Sequence, residues 1–327
     1  MGTILVTGGA GYIGSHTVLA LLEAGYEVLV LDNLSTGHRE AVLPPARLVV
    51  GDLADTTRLE ELFQTKDITS IIHFAASIVV PESVADPLKY YTNNTAKTTG
   101  LIARALEAGV EHFIFSSTAA VYGIPDSVPV SEEAPLRPIN PYGRSKLMSE
   151  WVLRDTTSAQ PSFKHVILRY FNVAGADPKG RIGQSTPEAT HLIKVACKTC
   201  LGQRESLSIF GTDYPTLDGT GIRDYIHVTD LARAHVQALE YLEQGGRSDV
   251  FNCGYGRGYS VQEIVQAVEQ VSGSSLPTNR DERRAGDPAE LVADPAKIKR
   301  VFGWQPKLDA IETIVSSALQ WERQRQY

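Results

Sequence analysis

Cysteine is scarce: three in 327 residues, at Cys197, Cys200 and Cys253. A small odd number supplies no disulfide framework. Cys197-x-x-Cys200 has no second pair and falls in a helical pattern. It reads as small core residues rather than a zinc site, and no metal is expected. The 8 histidines show no HExxH-type cluster. No apolar run approaches the roughly 18 residues of a membrane span. Met1–Val6 passes straight into a strand pattern, without the basic and apolar regions of a signal peptide. Internal repeats and low-complexity tracts are also missing. Positive charge is not in excess: 31 Lys and Arg face 38 Asp and Glu, a net −7. That excludes a broad nucleic-acid footprint, while a few local arginines can still hold an anion. The expectation is a cytoplasmic chain with no membrane and no nucleic-acid partner.

Apolar residues are 43% of the chain, enough for one large domain and a smaller companion. The first half alternates short apolar runs with helical patterns. Thr3–Thr7, Glu27–Leu31, Leu48–Val50, Ser70–Phe74 and His112–Ser116 read as strands. Ile13–Ala24 and Tyr90–Ala108 read as helices. This rhythm predicts an α/β fold of Rossmann type: a doubly wound parallel sheet with helices on both faces. Beyond Arg169 the rhythm changes. Gly175–Pro187 and Gly211–Gly221 are turn-rich, Thr190–Leu201 and Thr229–Glu243 are helical, and Val250–Asn252 is a short strand. Ser260 and Asp294 are expected N-caps. The expected division is 1–170 as a dinucleotide-binding domain, with segments near 222–253 returning to it. Residues 171–221 and 254–327 then form a smaller α/β substrate-binding domain over the carboxyl ends of the strands.

Gly8-Gly9-Ala10-Gly11-Tyr12-Ile13-Gly14 follows a strand and opens a helix. Gly8 suits the tight turn, Gly11 a close approach to a pyrophosphate, and Gly14 close helix–strand packing. Free N–H groups and the helix dipole then favour the phosphates. Asp32 ends the next strand about 20 residues on. Its carboxylate accepts from ribose hydroxyls and repels a 2′-phosphate, so NAD is expected over NADP. Asp52 is placed to reach the adenine, or is an ordinary turn aspartate. Phe74-Ala75-Ala76 gives the small residues of a strand end passing beneath a dinucleotide.

Asn140-Pro141 starts a helix that carries Tyr142 and Lys146 at i and i+4, on one face. A tyrosine titrating at about 10 must drop roughly 3 units, about 4 kcal/mol, to serve as a base near neutrality. A nearby ammonium and a cationic nicotinamide ring both favour its phenolate. Upstream, Ser116-Ser117-Thr118 follows a strand. Thr118 is the hydroxyl expected to bond a substrate oxygen and relay its proton, or else it caps the strand.

Read together, VTGGAGYIGSH (6–16), LDNLSTG (31–37), IIHFAA (71–76), YYTNN (90–94), FIFSSTAAVYG (113–123), NPYGRSKLMSE (140–150), LRYFNVAGA (168–176) and IFGTDYPTLDGTGIRDYIHVTDLA (209–232) resemble the extended short-chain dehydrogenase/reductase family, in its nucleotide-sugar 4-epimerase branch. The resemblance implies that Tyr12 and Ile13 contact the pyrophosphate. It places Asp32, Asn33, Asp52, Leu53, Phe74, Asn94 and Phe171 around NAD. It makes Thr118, Tyr142 and Lys146 catalytic. Asn172, His191, Leu192, Ser208, Phe210, Arg223, Arg284 and Asp287 would hold a UDP-sugar. Arg223 and Arg284 suit a diphosphate, and Asp287 suits ribose hydroxyls. The implied reaction inverts C4 of a UDP-hexose by transient oxidation and re-reduction. The implied assembly is a homodimer packed through helices near 90–108 and 142–157.

Three positions depart from relatives. Ile78 stands where some carry lysine, His191 where some carry asparagine, and Leu291 where a tyrosine or cysteine gates the sugar pocket. Leu291 is smaller than tyrosine and predicts room for an N-acetylated sugar; hexose, N-acetylhexosamine and pentose all stay open. A 4,6-dehydratase would carry an Asp-Glu pair directly after the hydroxyl residue, where this chain has Ala119 and Ala120. A decarboxylase needs a uronic-acid pocket that the sequence does not identify. A non-catalytic NAD-binding regulator predicts a broken Tyr142–Lys146 pair.

Overall fold

A computed structural model describes residues 2–65, 67–187, 189–284, 286–325 and 327. The strands are β1 (Thr3–Thr7), β2 (Val28–Asp32), β3 (Arg47–Val50), β4 (Ile68–His73), β5 (His112–Thr118), β6 (Lys164–Tyr170), β7 (Asn172–Ala174), β8 (Leu207–Phe210), β9 (Ile222–His227), β10 (Asp249–Cys253), β11 (Gly258–Ser260), β12 (Thr278–Asp281) and β13 (Glu290–Leu291). The helices are α1 (Tyr12–Glu23), α2 (Thr56–Thr65), α3 (Val80–Ala85), α4 (Pro87–Tyr90), α5 (Lys97–Glu107), α6 (Pro141–Ala159), α7 (Leu192–Cys200), α8 (Val228–Glu243), α9 (Val261–Ser272), α10 (Ala296–Phe302) and α11 (Ile311–Gln324).

Seven strands form one parallel sheet in the order β10-β6-β5-β4-β1-β2-β3. Every residue of β1 and β2 is buried, which explains their continuous apolar character: helices cover both faces. Side chains alternate between two cores. Ile4, Val6, Val30 and Ile114 face α1 and α8. Leu5, Leu29, Ile71 and Phe113 face α2, α5 and α6. The chain order reverses where β1 lies between β4 and β2, the crevice in which open α/β sheets bind ligands.

Three expectations need correction. The helix over 90–108 is interrupted: α4 passes through a π-helical turn, Tyr91–Ala96, before α5 begins. Contacts with α6 hold that turn, through Ser149 Oγ donating to Asn94 O and Thr95 Oγ1 donating to Ser145 O. Secondly, Ile222–His227 does not return to the main sheet. β9 pairs with β7, β11 and β13 in a second sheet, and only α8 and β10 go back. Thirdly, Ile298 and Trp304, expected in the smaller unit, lie in the first core beside Leu231 and Phe251. The second sheet packs with α7, α9 and α11 around Ile193, Tyr225, Ile264 and Ile314.

Ser260 caps α9 in a capping box: its Oγ accepts from the Glu263 N–H at 3.0 Å, and Glu263 Oε2 accepts from the Ser260 N–H at 2.7 Å. Asp294 acts one residue before the cap position of α10, accepting from the Ala296 N–H at 2.9 Å. Cys197, Cys200 and Cys253 are free thiols. No helix among the described residues is long and apolar enough to cross a membrane.

Burial pushes the imidazoles of His16, His165 and His235 down to about 4 and those of His73 and His227 to about 3. The folded chain therefore keeps them neutral, whereas the unfolded chain protonates them at about 6.5. Their contribution to stability is present above that value and is lost as pH falls through the folded values. Thermal melts should show Tm dropping steeply from about pH 6.5 towards 4. A Tm independent of pH across that window would contradict this.

Candidate active site at the carboxyl ends of the strands

The glycine turn leaves β1 with Gly8 at φ +71, a conformation other residues avoid. A Cβ at Gly8 would lie 2.6 Å from Ala75 N, so the turn abuts the end of β4. A Cβ at Gly14 would lie 2.1 Å from Gly8 O, so α1 packs directly on the turn. At Gly11 a Cβ would meet only Gly8 O, at 3.3 Å. Gly11 is also the N-cap of α1 and offers no capping side chain, and the first turn has no acidic residue. The N–H groups opening the helix at Tyr12, Ile13 and Gly14 thus form an end suited to an anion.

Asp32 ends β2 nearly buried. Its Oδ2 accepts from the Ala10 N–H at 2.9 Å and its Oδ1 from the Leu34 N–H at 2.8 Å. The carboxylate expected to meet ribose hydroxyls therefore also fastens the glycine turn. Each oxygen retains a further lone pair. Asn33 donates to Asp52 Oδ2 at 2.8 Å, and Lys97 Nζ lies 2.6 Å from Asp52 Oδ1. Burial works against the Asp52 anion, but these donors and the Ala54 N–H hold its carboxyl below the ordinary value. Asp52 is thus a turn aspartate as well as a neighbour of Asn33 and the buried Leu53. Phe74, at the end of β4, packs on the His235 ring. Asn94 is buried in the π turn: its Oδ1 accepts from the Ser77 N–H, and its Nδ2 donates to Ser77 O and Ser145 Oγ.

Asn140 Oδ1 accepts from the Gly143 N–H at 2.8 Å, and Pro141 occupies the first turn, so α6 begins as its sequence dictates. Tyr142 is half-buried and Lys146 buried, with Nζ 4.3 Å from the centroid of the Phe115 ring. Thr118, the last residue of β5, accepts from the Ala120 N–H at 3.1 Å, and its hydroxyl lies where it favours the Tyr142 phenolate. It caps the short turn that follows β5, as the capping reading expects.

The electrostatics of the pair differ from expectation. Burial pushes the Tyr142 phenol up, with the Thr118 hydroxyl pulling against it. Burial pushes the Lys146 ammonium down to about 7, against the opposing charge of Glu150. In so closed a place desolvation outweighs the mutual help expected of the pair, and both neutral forms gain.

On the far side of the crevice, Phe171 is buried with Ala119, Val121, Tyr122 and Leu291. Ile78 is exposed. Asn172, His191 and Leu192 line one cleft together with Tyr225 and Trp321. His191 Nδ1 pairs with Gln184 Nε2 at 2.9 Å, and burial lowers its pKa. Ser208, Phe210, Arg284 and Asp287 form a second group outside that lining, at and beside the β8–β12 pair. The Arg284 guanidinium sits 3.8 Å from the Phe210 ring centroid. Arg223, on β9, donates from Nη1 to Ile222 O at 2.8 Å.

Over residues 4–254 the chain matches the NAD dependent epimerase/dehydratase family. It belongs to that family. It is 57% identical over 320 residues to a UDP-glucose 4-epimerase of Azospirillum brasilense, covering 98% of this chain and 92% of that one. The crystal structure of UDP-glucose 4-epimerase from Brucella ovis in complex with NAD superposes with a TM-score of 0.95 at 45% identity, covering 98% of each chain. The UDP-Glc/GlcNAc 4-epimerase of Campylobacter jejuni gives a TM-score of 0.87 at 52% identity, covering 99% of this chain and 100% of that one.

This member of the epimerase/dehydratase family also carries a buried polar network that the motifs did not point to. Glu150 and Arg169 are fully buried and bonded at two points, Nη2 to Oε2 at 2.6 Å and Nε to Oε1 at 3.0 Å. Ser117 Oγ donates to Glu150 Oε1 at 2.5 Å. Arg169 Nη1 donates to the Tyr122 hydroxyl, which donates to Asn252 Oδ1. Two signals in the sequence could have found it. Glu150 follows Lys146 by four residues on the face that carries Tyr142, and Arg169 is a charge inside the apolar run of β6.

Proposed function

We propose that this family member interconverts UDP-galactose and UDP-glucose by inverting C4, using NAD that it keeps and recycles. The observation that carries the reading is Tyr142 and Lys146 one turn apart on α6 with Thr118 acting on the phenol, in a chain that also has an uncapped start of α1 and has Ala119 and Ala120 following the hydroxyl residue. The pair gives proton transfer, the helix start an anion cradle, and the two alanines no acid or base for dehydration. The high identity to proteins named UDP-glucose 4-epimerase supports the same sugar.

The residues present suit a dinucleotide. At Gly11 a Cβ would meet only a backbone oxygen, the α1 N–H groups have no capping side chain, and Asp32 ends β2 with lone pairs to spare. Gly8, Gly11, Tyr12, Ile13 and Gly14 would hold the phosphates. Asp32, Asn33, Asp52 and Leu53 would hold the adenosine, and Phe74, Ala75, Ala76, Asn94, Lys146 and Phe171 would line the rest. When bound, NAD supplies a reversible hydride acceptor for C4 of the sugar.

Tyr142, directly or through Thr118, takes the proton from the sugar 4-hydroxyl and later returns it. Its phenol stands above the ordinary value in this chain, so positive charge beside it must bring it down. Lys146 supplies such charge when protonated. Arg223 and Arg284 pair with the diphosphate, and Asp287 accepts from the uridine ribose. Asn172, His191, Leu192, Ser208 and Phe210 complete the wall. The nucleotide stays anchored while the sugar turns to offer its other face. The division into a dinucleotide unit over 1–170 with α8 and β10, and a UDP-sugar unit from the remainder, is part of this reading. So is a cytoplasmic location, supported by the three free thiols. A homodimer is supported by exposed Val84, Leu88, Met148 and Trp151 on α3, α4 and α6, which pack on one another.

Purified protein without added NAD should convert UDP-galactose to UDP-glucose in a coupled assay, and Tyr142→Phe should abolish turnover while sparing bound NAD. Unchanged turnover by that variant would refute the mechanism. Leu291, buried beside Phe171, is smaller than the tyrosine that gates the sugar pocket in some relatives, so UDP-N-acetylglucosamine should also turn over; no detectable conversion by active enzyme removes that extension. Sedimentation should give twice the 35.6 kDa chain mass, and a monomer at assay concentration would dismiss the dimer.

A further inference from the structure

Tyr142, Lys146 and Glu150 are spaced by four along α6 and share one face. Glu150 lies one turn deeper than Lys146, with no exposed surface. Its Oε1 accepts from Ser117 Oγ and Arg169 Nε, and its Oε2 accepts from Arg169 Nη2. Ser117, also fully buried, directly precedes Thr118 at the end of β5. We propose that Glu150 is a positioning residue for proton transfer: its carboxylate ties Ser117, and hence Thr118, to the helix face that carries Tyr142 and Lys146. This rests on the reading of Thr118, Tyr142 and Lys146 as the reacting groups.

The arrangement suits a clamp. The two-pronged guanidinium fixes the carboxylate in plane as well as in distance. Arg169 cannot follow a shift of α6, because its Nη1 is bonded to the Tyr122 hydroxyl at 3.0 Å, which is bonded in turn to Asn252 Oδ1 at 2.7 Å on β10. Asn252 Nδ2 donates to Val130 O. One carboxylate thereby holds α6, β5 and β6 in register beneath the site. A buried ion pair gives little net stability over apolar packing, so placement is the stronger reason for having one here.

The same carboxylate is the anion that faces Lys146. The other titratable or charged groups around the pair are Tyr142 and Arg154 on α6, the latter 3.9 Å from Glu150 Oε2, His73 on β4, Arg169 and Tyr170 on β6, and Tyr122 just after β5. His73 is kept neutral by burial and sits between Thr7 Oγ1 and Thr98 Oγ1. The charge of Glu150 therefore favours the protonated form of Lys146.

Ser117→Ala cuts the clamp and leaves the ion pair whole. In the protein as purified, kcat for UDP-galactose should fall about tenfold, with KM and bound NAD content near those of the unaltered chain. Glu150→Gln keeps the shape but removes the charge; kcat should fall further, and the alkaline limb of its pH profile should move to lower pH. Two folded variants with unchanged kcat and unchanged pH limbs overturn the proposal. If Glu150→Gln does not fold, Ser117→Ala decides alone, and an unchanged kcat overturns it. If the unaltered protein leaves UDP-galactose untouched, it is the proposed function that fails. Ultraviolet titration of the phenolate, taken as the difference from Tyr142→Phe, then reads the clamp without substrate. Ser117→Ala should move that midpoint, and an unmoved midpoint overturns the clamp.

Discussion

An arginine and a glutamate with no exposed surface face each other at 2.6 Å in the interior, and the geometry of the site depends on them. Taking two such charges out of water costs several kcal/mol each, and losing one partner from a buried pair costs about 3–5 kcal/mol. Arg169 and Glu150 offset that cost with two direct bonds and a shared shell of hydroxyls, Ser117 on one side and Tyr122 on the other. The pair lies where α6, β5 and β6 meet. A small displacement there would leave a buried charge unpaired, so these elements have one permitted register.

The rest of the site follows from topology. A parallel sheet sends all its strands out at one end, and the reversal beside β1 opens a crevice there. The glycine turn, Asp32, Phe74, Thr118 and Phe171 all come from residues at or just after strand ends. Asp32 shows how economical this is: the carboxylate suited to a ribose also bonds the Ala10 N–H and keeps the turn in shape. The second sheet, around β9, brings Asn172, Arg223 and Leu291 to the other side of the crevice.

What could be read in the sequence was local. The turn at Gly8 to Gly14 is set by close backbone contacts within a few residues and by the end of β4. The start of α6 is set by Asn140 and Pro141, and that of α9 by Ser260 and Glu263. What could not be read depended on distant partners. The π turn at Tyr91–Ala96 exists against α6, and no residue in it announces the change of winding. The run Ile222–His227 has the pattern of a buried strand, but pattern does not name the sheet that receives it. The upward shift of Tyr142 and the downward shift of Lys146 come from burial by other elements, whereas i,i+4 spacing reports only their mutual proximity.

The central claim is that C4 of the sugar gives up its hydrogen and receives the same one back. Deuterium placed at C4 of UDP-galactose tests it most directly. With the protein as purified, in ordinary water and without added cofactor, the UDP-glucose formed should carry the deuterium at C4. Product formed with solvent hydrogen at C4 would contradict the claim.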